Sequence, residues 1–480
     1  MENFWDFSVW SYILLFAVLL GSLLVGNLLK RSIPLLKNSL MPTSVLGGAI
    51  LLIVAAIYKA ITGDIMFDTA IFDGKGTSYL EIITYHALGL GFIASAFKTT
   101  NSKLTKKRTC EIFDTGVTTV ATYLIQGIFG LAVTLIAALI VTDFFKGAGV
   151  LLPFGFGQGT GQALNYGSIF ETDNGFDGGR SFGLTIAALG FLAASIGGVI
   201  HLNVMKRRGK FVFSSRTDGS LHTETIESDG EIPMQESVDK MTIQIALIIA
   251  AYALAYLIMF GLGTLLPGMK AVIYGFNFLI GVITATLIKL VMNFLQKKKI
   301  MKRKYTNNFL MTRASNFFFD LMVVAGVAAI RLDKLESYWG IILILAAVGT
   351  VVTYVYNRFI AKKLFGDYYE EQFLMMYGML TGTASTGTIL LREIDSEFRT
   401  PASDNMVYQT IPAIVFGFPM MFLAPMAGNS PIMVLLILVA YFAVLNLILF
   451  RDKIFRRKNN ANSEITEEAT QESTEINEQA

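Results

Sequence analysis

Residues 378–395 of the chain read GMLTGTASTGTILLREID. This stretch combines three glycines with five hydroxyl residues between strongly apolar segments, and it ends in Arg392, Glu393 and Asp395. A segment in hydrocarbon must pair its backbone N–H and C=O groups internally, so glycine-rich and hydroxyl-rich backbone survives there only inside protein or beside water. The sequence therefore predicts a re-entrant loop over about residues 372–392.

A second stretch with the same chemistry lies in the first half of the chain. It reads PFGFGQGTGQALNY, residues 153–166, and its four glycines surround Gln158, Thr160 and Gln162. We predict a re-entrant loop here as well, over about residues 149–166. Two such loops, one in each half, suggest an internally duplicated transporter.

Composition places the chain among membrane proteins. Its 480 residues are 53% hydrophobic and only 16% charged, with a mean hydropathy of +0.56. These values are too apolar for a soluble protein of this length. The one cysteine, Cys110, excludes an internal disulfide.

The distribution of charged connections predicts eleven spans with alternating direction. The predicted spans are residues 9–29, 42–57, 81–97, 115–142, 182–202, 241–263, 271–292, 317–330, 339–360, 406–423 and 431–450. Lysine and arginine follow the first, third, fifth, seventh, ninth and eleventh spans, whereas acidic residues dominate most of the other connections. Because basic connections stay inside the cell, the N-terminus is predicted outside and the C-terminus inside.

The predicted fold class is an all-α polytopic membrane protein. It has two inverted repeats of five transmembrane helices, each with a glycine-rich re-entrant loop, and an eleventh C-terminal helix, because the first loop enters from outside and the second from inside. The predicted domains are the first repeat at 1–202, a polar cytoplasmic linker at 203–240, the second repeat at 241–424, the additional span at 425–458 and a disordered acidic tail at 459–480.

Several motifs resemble the bacterial glutamate:sodium symporter family over about residues 9–423. They are the two loops, the segment HALGLGF at 86–92, Gln126-Gly127 in the fourth span and PTSVLGG at 42–48. The resemblance implies sodium-driven uptake of glutamate by a homodimeric carrier in the inner membrane of a bacterium, moving between two facings. This chain has its own loop glycine patterns, and its linker and eleventh span are extra features.

The two loops are predicted to form the binding site. The predicted substrate-binding residues are Gln158, Gly159, Thr160, Gly161, Gln162, Thr381, Gly382, Thr383, Ser385, Thr386, Gly387 and Arg392. Glycine lets backbone approach a ligand closely, and a guanidinium presents a fork that fits a carboxylate. Loop carbonyls and hydroxyls, Thr160 and Thr383 among them, are the predicted sodium ligands. No cofactor is expected besides sodium as coupling ion, and Gln126 is predicted only to join neighbouring helices.

Other functions remain open at this stage. Within the carrier class, the substrate could be a dicarboxylate or a hydroxycarboxylate, and re-entrant loops also build the filters of ion channels. The inverted pair of loops favours a carrier over a channel. An enzyme is not expected, because the chain lacks a Walker loop, a metal-spaced Cys/His cluster and a plausible catalytic triad. The expected partners are a small anionic amino acid, sodium and the lipid bilayer, without nucleic acid.

Overall fold

A computed structural model describes residues 3–98, 105–208, 231–234, 238–395 and 399–451. The predicted acidic tail and most of the predicted linker lie outside these ranges. Within them the regular structure is helical, and a single isolated β-bridge joins Glu231 to Lys304.

The α-helices are numbered in chain order. Those of the first half are α1 Phe7–Ser32, α2 Pro34–Asn38, α3 Thr43–Thr62, α4 Gly76–Phe97, α5 Lys106–Ile140, α6 Leu151–Phe156, α7 Gly159–Asn174 and α8 Gly179–Arg207. Those of the second half are α9 Lys240–Leu265, α10 Lys270–Gly275, α11 Asn277–Lys297, α12 Asn308–Ala328, α13 Trp339–Leu364, α14 Tyr369–Thr381, α15 Ala384–Arg392, α16 Ala402–Tyr408, α17 Thr410–Met426 and α18 Pro431–Leu449.

Ten helices of the described ranges are long and apolar enough to cross a membrane. An eleventh span results if α16 and α17, which meet at a bend of 51°, cross together. These numbers agree with the sequence prediction, although the eighth span starts earlier than expected, at Asn308 instead of residue 317. Its start is fixed by the side chain of Asn307, which accepts a hydrogen bond of 2.8 Å from the backbone N–H of Leu310.

Both predicted loops are helical hairpins. The rings of Phe154 in α6 and Tyr166 in α7 stack with centroids 3.8 Å apart, whereas twelve residues of straight helix would separate them by about 18 Å. Helices α14 and α15 fold back in the same way, because a Cβ atom added to Gly378 would lie 2.7 Å from the Cα atom of Gly387. We call α6 and α7 the first hairpin, and α14 and α15 the second hairpin.

The spans sort into two groups by their packing. The frame group consists of α1, α3, α4, α9, α11 and α12. The hairpin group consists of α5, α8, α13, α17, α18 and the two hairpins. The groups meet mainly where α7 packs against α4 and α12. Each group therefore combines spans from both halves of the sequence.

The end of the predicted linker is held in place. The carboxylate of Glu231 accepts hydrogen bonds from Lys240 Nζ at 2.9 Å and from Asn307 Nδ2 at 2.6 Å. The backbone N–H of Ile232 donates to the carbonyl of Lys304 at 3.1 Å. Residues 231–234 thus pack against the connection between α11 and α12, which differs from the flexible segment expected here.

Candidate functional site

The first hairpin breaks at Gly157, Gln158 and Gly159. Gly159 has φ +77°, a left-handed conformation that glycine adopts without a steric penalty. The break is held by Tyr123 of α5, whose hydroxyl donates to the Gly157 carbonyl at 3.2 Å. A Cβ atom on Gly157 would collide with the Tyr123 ring. Glycine is therefore favoured at 159 by the backbone conformation and at 157 by the close approach of the Tyr123 ring, and Gln158 between them is half-buried.

The other predicted residues of this hairpin serve different purposes. Thr160 is fully buried and donates to the carbonyl of Met322 in α12 at 3.3 Å. Gly161 packs closely against Leu88 and Met322, where a larger residue would not fit. Thr160 and Gly161 thus form the contact between the hairpin group and the frame group, while Gln162 is buried with an unpaired amide nitrogen.

The second hairpin breaks at Gly382 and Thr383. The Thr383 side chain caps α15 by accepting a hydrogen bond of 3.3 Å from the backbone N–H of Thr386. Thr381 is buried and its hydroxyl donates to the Tyr377 carbonyl within α14. A Cβ atom on Gly382 would lie 3.0 Å from both the Gly378 carbonyl oxygen and the Thr386 hydroxyl. Gly382 is thus tightly packed against Gly378 and Thr386 of its own hairpin.

The remaining predicted residues lie along α15. Thr386 and Gly387 are buried, and Gly387 forms the close contact between the two helices of the hairpin. Ser385 and Arg392 are exposed. Arg392 is the last residue of α15, so the helix places it about 14 Å along its axis from Thr383. The structure therefore puts Arg392 at the base of the hairpin, away from the break.

One helix, α5, contacts both breaks. Besides the bond from Tyr123 to the first break, the amide nitrogen of Gln126 donates to the Leu380 carbonyl beside the second break at 2.9 Å. The same nitrogen donates to the Thr353 hydroxyl of α13 at 2.8 Å. Gln126 joins neighbouring helices as predicted, and it also holds the second hairpin.

Helix α8 lies against both hairpins as well. A Cβ atom on Gly190 would collide with the Thr381 carbonyl and lie 3.0 Å from the Phe156 ring. Farther along α8, Gly197 approaches Tyr377, whose hydroxyl donates to the Ala193 carbonyl at 2.9 Å. Small residues on α8 therefore let the two hairpins approach the same helix surface.

Two buried amide atoms in the helices that form or hold the breaks have no hydrogen-bond partner in the part of the chain that the structure describes. They are Oε1 of Gln126 and Nε2 of Gln162. The orientation of Gln126 is set by the Leu380 carbonyl, which can only accept, and Gln162 Oε1 is assigned by its contact of 3.5 Å with Nδ2 of Asn165. An unpaired buried polar group costs about 1–3 kcal/mol, so the site offers one oxygen and one N–H donor to a ligand.

The base of the second hairpin is fixed by an ion pair between a half-buried arginine and a buried glutamate. Arg358 of α13 donates two hydrogen bonds, of 2.6 and 2.8 Å, to the carboxylate of Glu370 in α14. Nε2 of His201 in α8 lies 3.2 Å from the same carboxylate. Paired N–H bonds of this kind are directional as well as strong. They orient α14 relative to α8 and α13.

Sequence reasoning did not identify Tyr123, Gln372 or Asn405 as site residues. Gln372 of α14 donates to the Thr115 hydroxyl of α5 at 3.1 Å, and Asn405 of α16 donates to Gln372 Oε1 at 3.0 Å. The signal that could have found this network is the row of buried polar residues in the apolar α5, which comprises Thr115, Thr119, Thr122 and Gln126. They share one helix face at spacings of three and four residues.

These features define the class: an all-helical, multi-pass membrane protein with two helical hairpins that share supporting helices. Comparison with known families then gives the relationship. The sequence model of the sodium/glutamate symporter family matches residues 9–399, and the chain belongs to this family of transporters. The matched region extends from α1 to just beyond α15, so α16, α17 and α18 follow it. No curated protein matches the chain in a sequence comparison.

Proposed function

We propose that the protein is a secondary active transporter that couples uptake of glutamate, or a similar anionic amino acid, to sodium. The observation that carries this proposal is the pair of broken hairpins held by α5, with unpaired buried amide atoms at Gln126 and Gln162. Family membership supports sodium and glutamate as the transported species.

The proposed site uses the groups that the breaks leave available. The unpaired Oε1 of Gln126 is an oxygen donor of the kind that, with free backbone carbonyls at broken helices, binds sodium in transporters. The unpaired Nε2–H of Gln162 lies in the first turn of α7. Because a helix start favours negative charge, we assign the substrate carboxylate to this end. Thr383 and the carbonyls of the breaks complete the proposed sodium and substrate ligands, and no other cofactor is proposed.

We further propose that the two halves are inverted repeats and that the hairpins are re-entrant. The packing of the helices supports the inverted repeat. The following helix contacts have counterparts in which every helix is replaced by its equivalent from the other half. Helix α1 packs on α3 and α9 on α11, α3 packs on α12 and α11 on α4, and α8 packs on α13 and α17 on α5. Such repeats place a substrate site near the bilayer midplane.

Alternating access would follow from movement of the hairpin group against the frame group. The contact between them is built from Thr160, Gly161, Met322 and Gly326. The small residues Thr160, Gly161 and Gly326 let the helix backbones of the two groups approach closely. In this proposal, the hairpin group carries substrate and sodium between the two sides of the membrane.

The experiment that tests the function uses purified protein in lipid vesicles. Uptake of labelled glutamate should accumulate with an inward sodium gradient, saturate with concentration and show counterflow, and choline in place of sodium should abolish accumulation. Full uptake with a proton gradient alone would refute sodium coupling. Competition by amino acids, dicarboxylates and hydroxycarboxylates identifies the substrate class, and current without saturation or counterflow would indicate a channel.

The orientation is proposed with the N-terminus outside and the C-terminus inside a bacterial inner membrane. Its basis is the charge pattern of the connections. In a Cys110→Ala background, a cysteine introduced at position 222 should not react with an impermeant reagent in intact cells. Reaction there would reverse the orientation. A homodimer, proposed from the family resemblance, would appear as a cross-linked pair in membranes.

A further inference from the structure

A cavity that is open to the protein surface and carries several polar side chains lies beside the first hairpin. Its volume is about 360 Å³, within the range of about 300–1,000 Å³ typical of small-molecule sites. Its polar lining comes from three helices, α4, α7 and α8, and consists of Ser78, Glu81, Tyr85, Asn165, Ser168 and Arg180. None of these residues has a role in the proposed transport site. Asn165 alone contacts a residue of that site, Gln162.

Arg180 gives this cavity an incompletely used cation. One terminal nitrogen of its guanidinium donates to Glu81 Oε2 at 2.8 Å. The Nε atom is buried and has no hydrogen-bond partner among the described residues, and Oε1 of Glu171 lies 3.8 Å from it. The backbone N–H of Arg180 uses the other oxygen of Glu171, at 3.1 Å. Arg180 thus lines the cavity with a guanidinium whose buried Nε–H group lacks a hydrogen-bond partner among the described residues.

A row of polar side chains leads from this cavity to the first break. Ser168, Asn165 and Gln162 follow each other at intervals of three residues on α7, so the row extends about 9 Å along the helix. Asn165 Nδ2 lies 3.5 Å from Oε1 of Gln162 and donates to the Gly275 carbonyl at 3.2 Å. The next polar atom toward the break is the unpaired Nε2 of Gln162.

We propose that this cavity is a first binding subsite, where a carboxylate of the anionic substrate is received by Arg180 before it moves to the break. This inference rests on the proposed function. Glu81 now provides the hydrogen-bonded carboxylate at the guanidinium, beside the more distant carboxylate of Glu171, and the substrate would replace Glu81. Exchange of one carboxylate for another preserves a charge-assisted hydrogen bond at Arg180, so that neither state leaves the cation without an anion.

The alternative is that the pair of Arg180 and Glu81 only joins α8 to α4. Uptake kinetics of single variants distinguish the two roles. If the cavity is a subsite, Arg180→Gln should raise the KM for substrate about tenfold or more, the effect of losing a charged hydrogen bond. Glu81→Gln should lower KM, because it removes the competing carboxylate. If the pair is only structural, both variants should lose folded protein alike and leave the KM of the folded fraction unchanged. Lys334→Gln is the matched control. It removes the cation of the ion pair between Lys334 and Asp177, and this pair lies outside the cavity.

A labelling experiment tests occupancy without relying on transport. In the Cys110→Ala background, Ser168→Cys places a thiol in the cavity, and an impermeant maleimide should label it from outside. L-glutamate should slow the labelling, and Arg180→Gln should remove this protection. Unprotected labelling in a protein that transports glutamate would overturn the subsite. If the protein does not transport glutamate, the proposed function fails, and protection of the thiol by a panel of carboxylates still decides whether the cavity binds them.

Discussion

Gln126 and Thr353 meet where α5 crosses α13, with the amide nitrogen of Gln126 2.8 Å from the Thr353 hydroxyl. One turn away on each helix, the Thr122 hydroxyl donates to the amide oxygen of Asn357 at 3.2 Å. Each helix thus carries a threonine four residues before an amide, and each amide meets the threonine of the other helix. Exchange of the two helices exchanges the two pairs, which supports the proposed inverted repeat. The bond from Gln126 to Leu380 then connects this crossing to the second hairpin.

The first prediction concerns Gln126. Gln126→Leu should reduce uptake per folded protein about tenfold or more. The variant removes the hydrogen bond to the Leu380 carbonyl beside the second break, and the proposed sodium site loses an oxygen. The free energy of unfolding should fall by about 1–3 kcal/mol, the cost of leaving buried partners without a hydrogen bond. Gln244→Leu is the matched control, since Gln244 is equally buried but bonds Tyr305 and Asn307 in the frame group. Normal uptake per folded Gln126→Leu protein would contradict a role at the site.

The contact between the two groups provides the second prediction. A Cβ atom on Gly326 would lie 2.7 Å from the Cβ atom of Thr160, so Gly326→Val should obstruct movement of the first hairpin past α12. We expect loss of net uptake with retained binding of labelled glutamate in detergent. Gly261→Val is the control, because a Cβ atom there meets no atom within 4 Å. Equal transport by both variants would show that this contact does not move.

The spans and the positions of the two glycine-rich breaks could be predicted from the sequence because hydropathy, charge and glycine content are local properties. The start of α12 could not, because Asn308, Arg313 and Asn316 lower the hydropathy of its first turns, through which the helix nevertheless continues. The roles of Thr160 and Gln126 depend on which helices are neighbours. The sequence marks both as polar groups in apolar surroundings, yet only the packing shows that Thr160 contacts α12 and that Gln126 reaches the second break.

Arg392 shows the same limit. Its guanidinium suits a carboxylate, but Arg392 is the ninth and last residue of the helix that starts at the break. The polar cavity was missed for a different reason. Glu81 and Arg180 are 99 positions apart in sequence, and each looks like an ordinary charged residue near the end of a span. Their pairing follows from the packing of α7 between α4 and α8.

The third prediction is a pH dependence of stability at Asp333, between α12 and α13. Burial raises the pKa of this carboxyl. Hydrogen bonds from Arg331 and Lys59 outweigh that effect and lower the pKa to about 2. The folded value is thus below the unfolded value of about 3.9, so the contribution is complete above pH of about 5 and is lost as pH falls toward 2. Because the side chains of Lys59 and Asp333 are partly exposed to solvent, the contribution of Asp333 to the free energy of unfolding is limited to about 1 kcal/mol.

Thermal unfolding in detergent tests this prediction. Asp333→Asn should lower the unfolding midpoint at pH 6, and the difference from the unsubstituted protein should shrink by about half at pH 3. Asp64→Asn, an exposed carboxylate in the connection between α3 and α4, is the control for general charge effects. A difference that stays constant between pH 6 and pH 3 would contradict the assignment.

Thr383 and Thr160 are expected to affect different kinetic constants of transport. Thr383→Ala removes the cap of α15, which costs about 1 kcal/mol, and should raise the apparent constants for sodium and substrate. Thr383→Ser keeps the hydroxyl and should restore both constants. Thr160→Ala should mainly affect the maximal rate, because its hydroxyl contacts Met322 of the frame group. Similar changes of the apparent constants in both alanine variants would instead indicate that both hydroxyls bind a ligand.

The last prediction uses the different reasons for glycine at the two breaks. Gly159 needs its positive φ of +77°, whereas its side-chain direction is open, with the closest atom, Cε of Met322, at 4.0 Å. Asparagine tolerates this conformation far better than valine, so Gly159→Val should abolish transport and Gly159→Asn should retain part of it. At Gly382 the obstacle is contact with Gly378 and Thr386 at 3.0 Å, so asparagine and valine should both abolish transport. The measurement is uptake normalised to folded, inserted protein for all four variants. Equal residual activity of Gly159→Asn and Gly159→Val would show that the left-handed conformation at the first break is not required, and normal activity of both valine variants would show that the hairpins are not the site.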